Sequence, residues 1–182
     1  AIAQSGALWI GSWNGLNRLT PHNHAIESIH TQPDGAGSFY KQNITSLTID
    51  QKGGLWVGTR KNGYAKIVGK NQLERFSFNR VQYKDNDEPW VFSIVQTNDE
   101  EIWIGTYGQG IYVVNLGTGE ISEQHNNKEN SSGSLSMDNI GAIFVDKSNL
   151  IWIGTWGAGL NYYHPHNSTF RTLRKKMPTT NK

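Results

Sequence analysis

Seven aromatic and polar residues stand where they could stack against a sugar and hydrogen-bond its hydroxyls. Each follows, within three residues, one of four Gly-Ser or Gly-Thr pairs. The seven are Trp13, Asn14, Arg60, Asn62, Tyr107, Gln109 and Trp156. An aromatic ring offers a flat surface for the C–H face of a sugar, and amides and charges bind its hydroxyl groups. We take them as the candidate ligand-binding set. Because they recur in register, an alternative is that their rings only pack against the next sheet.

Two His-x-His pairs suggest metal binding: His22 with His24, and His164 with His166. Each pair stands beside a proline and an asparagine, which favour turns and explain the placement without a ligand. No metal site is therefore predicted.

The nearest acidic group consists of Asp85, Asp87 and Glu88, which precede Pro89 and are typical of a solvated loop. The chain contains no nucleophile elbow and no phosphate-binding loop. We predict no catalytic residue and no cofactor.

One five-residue phrase occurs four times and indicates the elements that would position these side chains. The copies are Leu8-Trp9-Ile10-Gly11-Ser12, Leu55-Trp56-Val57-Gly58-Thr59, Ile102-Trp103-Ile104-Gly105-Thr106 and Ile151-Trp152-Ile153-Gly154-Thr155. Their tryptophans are 47, 47 and 49 residues apart. A repeat of roughly 40 to 50 residues made of short strands favours the blades of a β-propeller.

The second repeat shows four strand patterns. Residues 43–50 alternate apolar and polar positions, and Leu55-Trp56-Val57 is apolar on both faces, as in a strand between two sheets. Tyr64–Val68 and Leu73–Phe78 follow, separated by a turn. The third and fourth repeats share this register, whereas residues 1–7 hold nothing like 43–50. The sequence thus predicts an all-β propeller of about four four-stranded antiparallel blades, with fifteen strands in all.

The four repeated tryptophans are predicted to be core residues. Trp9, Trp56, Trp103 and Trp152 lie in the middle of runs that are apolar on both faces. Large aromatic side chains at such positions account for much of the area buried between sheets.

The whole chain is predicted to be one propeller fragment. The expected repeats are 1–38, 39–84, 85–134 and 135–174, with a polar tail at 175–182. Closed propellers pair strands from both chain ends in one blade, because an open ring exposes apolar faces and strand edges. No strand pattern follows Leu173, so we expect further blades of a larger, seven-bladed ring, the alternative being a complete four-bladed propeller. In isolation the open faces should drive self-association as a dimer.

Composition excludes several classes of function. The net charge of the 182 residues is +2, which creates no strong field for nucleic acid. The absence of cysteine rules out disulfides and thiolate metal sites.

A family resemblance rests on the fourth repeat: Leu135–Ile140, then Asp146, then Leu150–Leu160. These residues resemble the two-component regulator propeller repeat, found in the extracytoplasmic sensor regions of hybrid two-component histidine kinases of Bacteroidetes. The resemblance implies a periplasmic, non-enzymatic sensor propeller that recognises an oligosaccharide, or relays its recognition, in a parent protein with a transmembrane helix and a kinase.

Two departures from the repeat mark loops with individual roles. The first repeat has Gly11 and Gly15 four residues apart rather than five, and the second reads Arg60-Lys61-Asn62 where a small or aromatic residue is usual.

Two other functions remain open. One is a protein-protein interaction scaffold, which a flat apolar patch would favour over a concave pocket. A remote alternative is a lyase resembling streptogramin lyases, for which His125 is the one histidine near the expected binding face.

Overall fold

The computed structural model of the chain describes residues 1–22, 24–29, 42–68, 72–76, 89–129 and 131–173, with the backbone alone at 68 and 72–76. Fifteen strands make up its regular structure, as predicted. Their bounds are β1 Leu8–Ser12, β2 Gly15–Leu19, β3 Ile26–Ser28, β4 Ile44–Ile49, β5 Leu55–Thr59, β6 Tyr64–Val68, β7 Gln72–Phe76, β8 Val91–Gln96, β9 Glu101–Thr106, β10 Ile111–Asn115, β11 Ile121–His125, β12 Ile140–Val145, β13 Ile151–Thr155, β14 Leu160–His164 and β15 Thr169–Leu173. Within the described ranges, no helix is long and apolar enough to cross a membrane.

The strands form four antiparallel sheets in which chain neighbours pair. The first sheet has the order β1-β2-β3, the second β4-β5-β6-β7, the third β8-β9-β10-β11 and the fourth β12-β13-β14-β15. Successive sheets contact each other mainly through their first strands, with β8 packed between β4 and β12. The predicted tail at 175–182 and the acidic group at 85, 87 and 88 lie outside the described residues.

The start of the chain pairs with β1 at a single isolated bridge rather than as a strand. Ile2 forms an isolated bridge with Leu8, and the Trp9 backbone N–H donates to the Ala1 carbonyl at 2.8 Å. Ile2 thereby takes the position of Ile49, which pairs with Leu55 in the second sheet. Residues 1–2 therefore pair with β1 as the last residues of β4 pair with β5.

Three apolar cores lie between successive sheets. The first contains Leu16, Ile44, Leu55 and Val57, the second Trp56, Tyr64, Val91, Ile94 and Ile104, and the third Trp103, Ile111, Ile140, Ile143, Ile153 and Phe170. Of the repeated tryptophans, Trp56 and Trp103 are buried, while Trp9 and Trp152 are half-buried in the first and fourth sheets. The pattern of apolar residues on both strand faces thus corresponds to sheets packed face to face.

The glycine of the repeated phrase permits this close packing. A Cβ placed on Gly105 would lie 2.6 Å from Cγ2 of Ile140 in the next sheet, and one on Gly11 would lie 2.6 Å from Cγ2 of Ile44. Gly154 differs, because a Cβ placed there would have as its nearest neighbour the Ala142 carbonyl oxygen of its own sheet, at 3.9 Å. No described residue of another sheet therefore packs closely enough against Gly154 to exclude a side chain at that position.

An aspartate anchors the tryptophan in two of the sheets. Asp50 accepts a hydrogen bond from Trp56 Nε1 at 2.9 Å, and Asp146 accepts one from Trp152 Nε1 at 2.9 Å. The indole hydrogen bond is the main reason why the pKa of Asp146 lies below its ordinary value. The third sheet has Thr97 at this position. Trp103 Nε1 is consequently buried without a hydrogen-bond partner in the described structure.

Candidate functional site

The loops that carry the predicted ligand-binding residues are held by one repeated set of hydrogen bonds. Hydroxyl groups of Thr59, Thr106 and Thr155 donate to the carbonyls of Gly63, Gly110 and Gly159 at 2.7–2.8 Å. The next residue is fixed too: the backbone N–H groups of Arg60, Tyr107 and Trp156 donate at 2.9–3.0 Å to the residue that precedes the first strand of their own sheet. The side chains of these three residues therefore project from equivalent, well-anchored positions.

Four aromatic rings form a continuous cluster at the loops of the third and fourth sheets. We call Trp90, Phe92, Tyr107 and Trp156 the aromatic patch. Ring centroids lie 5.8 Å apart for Trp90 and Tyr107, 5.3 Å for Phe92 and Trp156, and 6.0 Å for Tyr107 and Trp156. Tyr107 is 46% exposed and Trp156 is 55% exposed. The rings thus support one another while two of them keep about half of their surface in water.

Phe92 was not among the residues expected from the sequence. It stands at a β-bulge between Val91 and Ser93. The second and fourth sheets have equivalent bulges, at which the extra residue is Thr45 and Gly141 respectively. A bulge re-aims the extra side chain away from the strand's regular alternation. The sequence signal that could have identified Phe92 is the alignment of the repeats, in which it is the aromatic residue at a position that holds Thr45 in the second repeat and Gly141 in the fourth.

The equivalent glycine makes room for Trp156. A Cβ on Gly141 would lie 2.6 Å from Trp156 Nε1, so a larger residue at 141 would displace the indole. Thr45 instead donates its hydroxyl to the carbonyls of Gly58 and of Val91 in the third sheet. The residue at the bulge therefore forms hydrogen bonds in the second sheet, supplies the Phe92 ring in the third, and leaves space for the Trp156 ring in the fourth.

Arg60 extends the patch onto the second sheet. Its guanidinium carbon lies 4.0 Å from the centroid of the Trp90 ring, which is a close cation–π contact. Arg60 is half-buried, and its Nε has no hydrogen-bond partner in the described structure. A positive charge thus lies over one end of the aromatic patch.

The other predicted binding residues make different contacts. Trp13 is 80% exposed, and no described ring contact joins it to the patch. Asn14 and Asn62 donate their backbone N–H groups to Ser12 Oγ at 3.2 Å and Thr59 Oγ1 at 2.9 Å. The Gln109 carbonyl accepts from Gln124 Nε2 at 2.9 Å. The structure therefore brings Arg60, Tyr107 and Trp156 together, whereas no described ring contact or side-chain hydrogen bond connects Trp13, Asn14, Asn62 or Gln109 to them.

A separate groove of about 860 Å³ lies between the third and fourth sheets. His125 lines it and packs against Trp103 and Phe170, with ring centroids 5.2 and 5.1 Å away. Burial is the main cause that lowers the pKa of His125 below its ordinary value, against the opposing charge of Glu123, whose carboxylate lies 3.5 Å away. Burial therefore disfavours the charged form of His125, which lies in this groove rather than in the aromatic patch.

The second His-x-His pair lies at a turn. The His166 backbone N–H donates to Nδ1 of His164 at 3.2 Å, within the turn between β14 and β15. Among the described residues, no group of three or more His, Cys, Asp or Glu side chains is placed to hold a metal ion.

Fold and site together define a class. The chain consists of repeated antiparallel sheets packed face to face in chain order, with an aromatic surface at the loops of neighbouring sheets, and this is the architecture of a β-propeller. Residues 41–61, 85–108 and 134–157 match the two-component regulator propeller family. Parts of the second, third and fourth repeats are therefore similar to two-component regulator propeller repeats.

Comparisons with known proteins give a similar picture of sequence and fold. Over 80 residues, or 41% of the chain, it is 31% identical to Histidine kinase P4 of Formosa agariphila, of whose length it spans 6%. Its fold is similar to the extracellular domain assigned to a hybrid two-component system of B. thetaiotaomicron, with a TM-score of 0.73 and 22% identity over 96% of this chain and 22% of that one. The predicted all-β propeller is thereby confirmed.

The fold is also similar to that of a lyase. Catalytically inactive virginiamycin B lyase from Staphylococcus aureus gives a TM-score of 0.68 at 16% identity, covering 99% of this chain and 55% of that one. At this identity the likeness concerns the fold alone.

Proposed function

We propose that this chain is a non-enzymatic, extracytoplasmic sensor propeller of a hybrid two-component histidine kinase, and that it binds an oligosaccharide on the aromatic patch. The extracellular location and the two-component context are carried over from the similar proteins. The observation that carries the ligand is the patch itself, in which Tyr107 and Trp156 present partly exposed rings anchored by Phe92.

The patch suits a sugar for physical reasons. The rings of Tyr107 and Trp156 each offer an apolar face of the size of one sugar ring. The backbone of both residues is already held by hydrogen bonds from their N–H groups. Little conformational entropy is then lost when a ligand orders the two side chains. Neighbouring polar groups, such as Arg60, can bind hydroxyls at the edge of the stacked sugar.

Titration calorimetry on a panel of oligosaccharides tests the proposal. The panel holds cellohexaose, mannohexaose, xylohexaose and oligogalacturonate, and extends to a glycan array. Tyr107→Ala and Trp156→Ala should each weaken binding by about tenfold or more, the effect of truncating an anchoring aromatic. Phe144→Ala is the matched control, because Phe144 is 64% exposed on β12 and is not part of the patch.

Folding of each variant is checked by near-ultraviolet circular dichroism. A chain that binds no glycan of the array at millimolar concentration, or variants of Tyr107 and Trp156 that bind as tightly as the Phe144 control, would refute the oligosaccharide site.

A second function is docking of a partner protein. It is favoured by the position of the patch, whose four residues line neither of the two described cavities, of about 490 and 860 Å³. A shallow apolar surface of this kind fits a protein partner as well as a sugar. Failure of all glycans, combined with loss of association between sensor domains in the Trp156→Ala variant, would support this function.

A further inference from the structure

Arg60 is a cation without a counter-charge in the described structure. Two other basic side chains are paired with carboxylates: Arg18 contacts Glu27 at 2.8 Å, and Lys66 contacts Asp50 at 3.4 Å. No described carboxylate lies within ion-pair distance of Arg60, whose guanidinium carbon instead lies over the Trp90 ring. A half-buried charge normally finds a partner, and no carboxylate among the described residues supplies one to Arg60.

The planar guanidinium determines how an anion would bind. Its N–H bonds lie in the plane of the fork. These parallel N–H groups match the two oxygens of a carboxylate or a sulfate. The Trp90 ring that carries the guanidinium is itself 5.8 Å from Tyr107, so the anion would lie beside a sugar stacked on the patch.

The position is specific to the second sheet. Trp13, Tyr107 and Trp156 occupy the equivalent places in the other sheets, and each is aromatic. The backbone of Arg60 is fixed by its N–H bond to the Asn43 carbonyl at 3.0 Å, so the side chain reaches Trp90 from an anchored base. One charge at one end of a row of rings can define which end of a ligand carries its acidic group.

We propose that the aromatic patch binds an anionic oligosaccharide, with Arg60 as the residue that recognises a uronate carboxylate or a sulfate ester on the sugar next to Trp90. This inference rests on the proposed function, since it names the ligand class of the same site.

Matched ligand pairs test the charge. The probes are oligogalacturonate, oligomannuronate and a sulfated oligosaccharide from carrageenan, each with its neutral counterpart, carboxyl-reduced or desulfated. The chain should bind at least one acidic probe about 10- to 100-fold more tightly than its neutral counterpart, the range for a charge-assisted hydrogen-bonded pair. A preference for the uronates or for the sulfated probe identifies the anion.

Variants test the residue. Arg60→Gln should reduce the affinity for the acidic probe to that for the neutral one, and Arg60→Lys, which keeps the charge but loses the planar fork, should give an intermediate value. Lys61→Gln is the matched control, because Lys61 is the exposed neighbouring cation and should change the affinity less than threefold. Tyr107→Ala should weaken both probes equally.

Outcomes separate the two levels of the proposal. Binding of neutral oligosaccharides together with an affinity for the acidic probe that is unchanged in Arg60→Gln overturns the role of Arg60 and leaves the sugar site standing. Absence of any glycan binding overturns both. Should Arg60→Gln fail to fold, the salt dependence of the folded wild-type chain decides: affinity for the acidic probe must fall as salt rises, whereas that for its neutral counterpart must not.

Discussion

Alanine substitutions at Gly105 and Gly154 provide a direct test of how the sheets pack. The two glycines have the same local sequence, Ile-Trp-Ile-Gly-Thr, in β9 and β13. They differ in what faces them, because Gly105 lies against Ile140 and Ile143 of the next sheet, whereas no described residue of a further sheet faces Gly154. Local propensity is therefore matched, and only the contact between sheets varies.

The expected cost follows from the geometry. A Cβ at 105 would lie 2.6 Å from Ile140 Cγ2 and 3.1 Å from Ile143 Cδ1. Ordinary carbon contacts lie at about 3.5–4.0 Å, so Ile140 would have to move by about 1 Å, although it is fully buried. Overpacking of this kind costs about 1–3 kcal/mol, from which the gain of about 0.5–1 kcal/mol for replacing a strand glycine is subtracted. Gly105→Ala should thus destabilise by about 0–2.5 kcal/mol, with a midpoint of about 1.3 kcal/mol, and Gly154→Ala should be neutral or slightly stabilising.

Urea unfolding followed by circular dichroism measures the difference. Gly105→Ala should lower the midpoint at unchanged m-value, and thermal unfolding should shift by about 2–8 °C. Equal stability of the two variants would show that the sheets do not pack as described. In a longer protein with a further sheet after the fourth, Gly154→Ala should acquire the cost that Gly105→Ala has here.

Three further predictions concern the core, an anchored carboxylate and the open face. Trp103→Ala should destabilise the chain by about 3–5 kcal/mol, the range for a buried aromatic, and unfolding that stays within about 1 kcal/mol of wild type would contradict its place in the core. The pKa of Asp146 is lowered in the folded state. The carboxylate therefore contributes to stability above its unfolded pKa of about 3.9, and this contribution is lost as the pH falls through the folded pKa. Asp146→Asn should remove this part of the acid dependence of stability, measured by denaturant titrations from pH 7 to 3. The exposed Phe144 and Leu160 of the fourth sheet should drive self-association as a dimer, measurable by light scattering, and a stable monomer at high micromolar concentration would argue against it.

Much of the fold could be predicted because it is encoded locally. The four Trp-containing phrases and the period-2 alternation of residues 43–50 identify strands from neighbouring residues alone, and the structure has these strands at nearly the same bounds, such as Tyr64–Val68 and Ile111–Asn115. The repetition also predicts how the sheets pack, since a sheet that is apolar on both faces is buried only by stacking on its copies.

Pairing of side chains across sheets was beyond the reach of the sequence. Phe92 belongs to the patch because it is the extra residue of a bulge, so its side chain does not follow the regular alternation of the strand. The position of a bulge depends on how two strands pair. Arg60 lies on Trp90 although the two are far apart in the chain, because the packing of β5 against β8 sets that distance. Thr97 likewise reads as an ordinary turn residue until the structure shows the indole of Trp103 left without the aspartate that its counterparts have. Residue types and repeat period therefore determined the strands and which residues could bind, whereas the packing of one sheet on the next decided which of those residues meet.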